Sequence, residues 1–79
     1  MTNKEKLYKV LSDILEIDLN QINEQTGPGN VASWDSFNAL MLISEFEEVF
    51  QLSFTIPEVE KVRSVRDIMD VLSNKGVEF

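Results

Sequence analysis

The stretch that decides the fold is Asp35-Ser36-Phe37-Asn38-Ala39-Leu40-Met41-Leu42-Ile43-Ser44-Glu45-Phe46-Glu47-Glu48-Val49-Phe50. Advancing about 100° per residue puts Ala39, Leu42, Ile43, Phe46, Val49 and Phe50 on one face, within an arc of roughly 120°. A stripe of that width predicts a helix that opens at Ser36 and buries this face. Asp35 is a natural N-cap, since its carboxylate can accept from the unpaired N–H groups of the first turn. Phe37, Leu40 and Met41 fall outside the stripe, as apolar residues on the exposed side beside Ser36.

Upstream, the helical period is lost from Ile17 to Trp34, and Gly27-Pro28-Gly29-Asn30 is strong turn chemistry. A connection this long in a small domain is uncommon and usually signals function or disorder. Leu19, Ile22, Val31 and Trp34 are spaced to pin it onto a core, so an ordered loop is expected, with a short helical turn near Leu19 to Asn23. Trp34 reads either as the loop's anchor, packed on the core, or as an exposed partner contact. Before the loop, Leu7, Val10, Leu11 and Ile14 recur at helical spacing, with Leu15 on the flank, after a possible capping box at Thr2-x-x-Glu5. The first helix is expected from about Asn3 to Glu16.

Downstream, Thr55-Ile56-Pro57-Glu58 is a second start signal: a Thr cap, Pro in the first turn and Glu at the third position. It predicts a short helix to about Val62, packed by Val59 and Val62. Ser64-x-x-Asp67 repeats the capping pattern, and Val65, Ile68, Met69 and Leu72 then form an amphipathic face closed by Asn74-Lys75-Gly76. No run alternates with the period of a strand. The fold class is therefore all-α: a four-helix bundle of three longer helices and one short one, with a long loop between helices one and two.

At 79 residues the chain is expected to form one domain, residues 1–79. It carries 14 acidic against 7 basic residues, a net charge of −7. From Val10 to Glu60 there is no Lys or Arg, while Asp13, Glu16, Asp18, Glu24, Asp35, Glu45, Glu47, Glu48, Glu58 and Glu60 fall there. Such a surface repels nucleic-acid phosphates and anionic lipid and draws in basic protein partners. Without a stretch long enough to span a bilayer or an apolar run resembling a secretion signal, cytoplasmic residence is the expectation.

Histidine and cysteine are both absent. This removes the usual base near neutral pH, thiolate chemistry and the commonest metal ligands. Glu45 and Glu48 share a helix face, but two carboxylates alone make no metal cage. Ser36 thus sits at a helix N-terminus without catalytic partners. It reads as a site to be modified rather than as a nucleophile, and the chain as no enzyme.

On these residues the chain resembles acyl carrier proteins across nearly its whole length. Asp35-Ser36-Phe37 stands where that family has an Asp-Ser-Leu motif at the start of its second helix. Glu45-x-Glu47-Glu48-Val49-Phe50 and Glu60-Lys61-Val62-Arg63-Ser64-Val65 look like the family's end of helix two and approach to the last helix. The resemblance implies that Ser36 accepts 4′-phosphopantetheine from coenzyme A and that the arm's thiol carries acyl groups as thioesters. It implies a phosphopantetheinyl transferase, an activating ligase and basic-surfaced pathway enzymes as partners of a monomer. It also implies that Asp35 helps a partner bind metal during arm transfer. Phe37, Leu40 and Met41, rimmed by Glu47 and Glu48 and steered by Glu45, read as a docking surface beside the arm.

Phe37 replaces the usual leucine, and a phenylalanine here is also found in D-alanyl carrier proteins. Asn38 and Met41 are neutral where fatty-acid carriers often have carboxylates on the partner-facing side. Three readings stand. One is an acyl carrier for fatty acid, polyketide or specialised synthesis. The second is an aminoacyl carrier of D-alanyl or peptidyl type. The third is an acidic helical interaction domain that is never modified.

Overall fold

The computed structural model describes all residues from Met1 to Phe79. Thr2 opens the first helix, α1 (Asn3–Leu15), through a complete capping box: its hydroxyl accepts from the Glu5 N–H while the Glu5 carboxylate accepts from the Thr2 N–H. The Thr2 N–H, and after it the Thr2 hydroxyl, hold the Glu5 carboxyl below the usual carboxylate range. α1 ends in a left-handed residue, Glu16 at φ 56°. One 3-10 turn, Leu19–Gln21, follows where a short turn was expected.

Asp35 caps the second helix, α2 (Ser36–Phe50), by accepting from the Asn38 N–H. Thr55 opens α3 (Ile56–Lys61) with a second complete capping box and Pro in its first turn. Ser64 caps α4 (Val65–Asn74) by accepting from the Asp67 N–H. The order is thus three longer helices and one short one, all-α as expected. No helix is long and apolar enough to cross a membrane.

The core is a single cluster drawn from every long element. Leu7, Leu11 and Leu15 of α1 meet Leu42 and Phe46 of α2 and Val65, Ile68 and Leu72 of α4, all essentially sealed from solvent. The stripe on α2 is buried at Leu42, Ile43 and Phe46, while Ala39, Val49 and Phe50 are half-buried against the cluster's edge.

The long loop is ordered by its own polar groups. Thr26 is buried, and its hydroxyl accepts from the Asn23 N–H. The Asn30 side chain accepts from the Gly27 N–H and donates to the Gln25 carbonyl. Ile22 and Trp34 enter the core and Val31 is half-buried beside it. Leu19 corrects the expectation: it is 56% exposed, because its 3-10 turn lies on the surface rather than folding inward. The loop is instead latched to the start of α4. The Val65 N–H donates to the Thr26 carbonyl at 2.8 Å and the Arg66 N–H to the Glu24 carbonyl at 3.0 Å. The Arg66 guanidinium also pairs with the Glu24 and Asp70 carboxylates, which raises its pKa further.

Candidate functional site

Ser36 is the first residue of α2, and three contacts set its position. The Ser33 hydroxyl donates to the Leu15 carbonyl at 2.8 Å, tying the loop's end to the last turn of α1. Trp34 is only 3% exposed and plants the next residue in the core, as its reading as an anchor requires. The Asp35 Oδ1 accepts from the Asn38 N–H at 2.8 Å, and the Asp35 carbonyl accepts from the Ala39 N–H. What emerges from this bracket is an exposed serine whose hydroxyl has no hydrogen-bond partner in the protein.

The N–H groups of Ser36 and Phe37 likewise find no acceptor. Two free donors at the positive end of a helix favour an anion on the Ser36 oxygen. Beside the serine opens a cleft of about 390 Å³ between α2 and the segment from α3 to α4. Its wall is mostly apolar: Trp34, Ala39, Leu42 and Ile43 on one side, Val59, Val62 and Ile68 on the other. Pro28, Asp35, Ser36 and Arg63 complete it. That volume lies within the range of ligand clefts.

Phe37, Leu40 and Met41 are 69%, 64% and 45% exposed, so the loop does not fold back over them. Glu45 and Glu48 are exposed on the same helix. Glu47 differs from its expected place on a charged rim. It is half-buried, and its Oε2 accepts from the Phe54 N–H at 2.8 Å, binding the end of α2 to the segment that leads into α3. Asn38 also faces inward rather than toward a partner: its Nδ2 donates to the Ser33 carbonyl at 2.8 Å. A carboxylate there could not donate that bond. No cluster of three or more metal-ligating side chains exists.

One residue of the site, Arg63, was not singled out from the sequence: it joins the cleft wall only where the junction of α3 and α4 packs beside α2. The fold and the site together define a small helical domain that presents one serine beside an apolar cleft.

No family profile matches the chain. Over 77 residues it is 32% identical to the acyl carrier protein of Buchnera aphidicola subsp. Schizaphis graminum, covering 96% of this chain and 98% of that one. It is 26% identical to the acyl carrier protein of Syntrophus aciditrophicus, over 98% of this chain and 96% of the relative. A solved structure from Mycobacterium tuberculosis, provisionally named an acyl carrier protein, superposes with a TM-score of 0.80 at 20% identity, over 90% of this chain and 95% of that one. The chain belongs to the acyl carrier protein family.

Proposed function

We propose that the chain is one carrier domain in which Ser36 bears a 4′-phosphopantetheine arm and presents acyl thioesters to biosynthetic enzymes. The observation that carries this reading is the setting of Ser36: an unpartnered, exposed hydroxyl beside two free backbone donors and an apolar cleft. In arm transfer, the Ser36 oxygen forms a bond to the β-phosphorus of coenzyme A. The diphosphate bond breaks, adenosine 3′,5′-bisphosphate leaves, and the hydroxyl proton passes to a base of the transferase. The chain needs no base of its own for this. The free Ser36 and Phe37 N–H groups favour the resulting phosphodiester by about 0.3–1 kcal/mol.

Asp35 serves first as the cap that aims Ser36, with its second oxygen left over for a transferase-bound metal. Phe37, Leu40 and Met41 form the apolar centre of a docking face, and the exposed Glu45 and Glu48 steer basic partners to it. Glu47 contributes charge from a fixed position. The exposed Phe37 in place of leucine also favours a second reading, an aminoacyl carrier with the same arm and different cargo.

The test is intact mass after incubation with coenzyme A and a broad-specificity phosphopantetheinyl transferase. A gain of one arm in the wild type and none in Ser36→Ala is expected. No gain in a folded wild type would leave an unmodified interaction domain. Loading of the arm by an acyl-activating rather than an amino-acid-activating ligase separates the two carriers.

A further inference from the structure

Arg63 is the one cation on the wall of the cleft that holds Ser36. The only other charged residue there is Asp35, whose Oδ1 is engaged by the Asn38 N–H. The two do not pair. The ion pairs of the molecule are Lys9–Asp13, Arg66–Glu24, Arg66–Asp70 and Lys75–Glu58. Arg66 thus holds two carboxylates while Arg63, on the wall of the same cleft as the serine, holds none. Asp67 is near, but its Oδ2 accepts from the Arg63 backbone N–H at 2.9 Å, not from the guanidinium.

The guanidinium uses one nitrogen. Its Nη1 donates to the carbonyls of Glu60 at 2.9 Å and Val62 at 3.2 Å. Those bonds close the end of α3 and fix the group in place. Its Nε and Nη2 find no acceptor in the protein. A guanidinium presents its donors as a planar fork that matches a carboxylate or a phosphate. In a chain with a net charge of −7, an arginine held by backbone carbonyls alone, lining the same cleft as the candidate attachment point, leaves that fork open to an incoming anion.

We propose that Arg63 is a selectivity residue of the cleft, receiving through Nε and Nη2 an anion carried by the arm or by its cargo. The inference rests on the reading of Ser36 as the attachment point. The anion is either the phosphodiester at Ser36 or a carboxylate at the far end of the acyl group.

The experiment follows the Arg63 Nε–Hε resonance, assigned by its loss in R63Q, in isotope-labelled protein. Four samples are compared: unmodified, arm-bearing, hexanoyl-loaded and adipoyl-loaded. The acyl groups are equal in length and differ in a terminal carboxylate. Loading is from the matching coenzyme A thioesters, and intact mass verifies each sample. If the cargo is the source, adipoyl moves the resonance and hexanoyl does not. If the phosphodiester is the source, the arm-bearing form moves it and both acyl forms keep that shift. In either case the melting-temperature gain of the shifted form is lost in R63Q and reduced in R63K, whose single ammonium cannot present the planar fork. A resonance unmoved across all four samples overturns the proposal. So does a shift common to both acyl forms but absent from the arm-bearing one, since it tracks the apolar chain. A chain that gains no mass overturns the reading of Ser36 and this proposal together, which distinguishes that failure from a loaded protein with a silent Arg63.

Discussion

Gly27 is buried where the long loop passes the junction of α3 and α4. A Cβ there would overlap the Arg63 carbonyl oxygen and lie 3.1 Å from its carbonyl carbon and 3.2 Å from the Ser64 Cα. All three atoms are backbone, so nothing flexible can swing aside. Gly29, two residues on, has nothing within 4 Å of the same atom. Neither glycine has a positive φ, so alanine suits the backbone at both. The pair therefore isolates one contact. Gly29→Ala should stabilise by about 0.4–1 kcal/mol, because it restricts the unfolded chain alone. Gly27→Ala has the same gain but meets an overpacking cost of about 1–3 kcal/mol. The two variants should thus differ by the overpacking cost alone. At about 4–8 °C per kcal/mol for a domain of this size, their melting temperatures should lie roughly 5–20 °C apart, Gly27→Ala lower. Thermal unfolding followed by far-ultraviolet circular dichroism measures this. Equal melting temperatures would refute the claim that backbone proximity makes Gly27 obligatory.

Phe46→Ala, at a fully buried site, should cost about 3–5 kcal/mol and abolish a cooperative thermal transition, whereas Phe46→Leu should keep one. The Thr55 N–H bond and then Lys75 hold the Glu58 carboxyl below 4.5, so its contribution is present above that pH and lost as pH falls through the folded value. Wild type should accordingly lose its melting-temperature advantage over Glu58→Gln only in acid; a difference that stays flat on acidification would contradict the assignment. Added NaCl or MgCl₂ should raise the melting temperature, because a net charge of −7 repels itself and salt screens that repulsion. A flat salt titration would count against self-repulsion.

The helices were legible in the sequence because their signals are local. Thr2-x-x-Glu5, Asp35, Thr55-Ile56-Pro57-Glu58 and Ser64-x-x-Asp67 each act within one turn, and each cap is made as read. The exposed Phe37, Leu40 and Met41 were legible for the same reason, since helical angle alone put them opposite the stripe. Leu19 was misplaced because burial in an irregular loop depends on where the turn lies, not on spacing. Glu47 and Asn38 were read from their helix face, yet each bonds to a loop that periodicity cannot locate. Gly27 and Arg63 meet only after α3 and α4 dock against the loop, so neither role has a signature in neighbouring residues.

The latch between the loop and α4 has a consequence for the order of assembly. Glu24 and its partner Arg66 are 42 residues apart in the chain, so the contact closes a long segment and forms only once α4 is available. A nascent chain leaves the ribosome N-terminus first. The serine emerges early, but the cleft beside it lacks Val59, Val62, Arg63 and Ile68 until the last helices follow. The cleft beside Ser36 thus exists only once the last helices have docked, so anything that recognises that finished surface meets it only on folded chains.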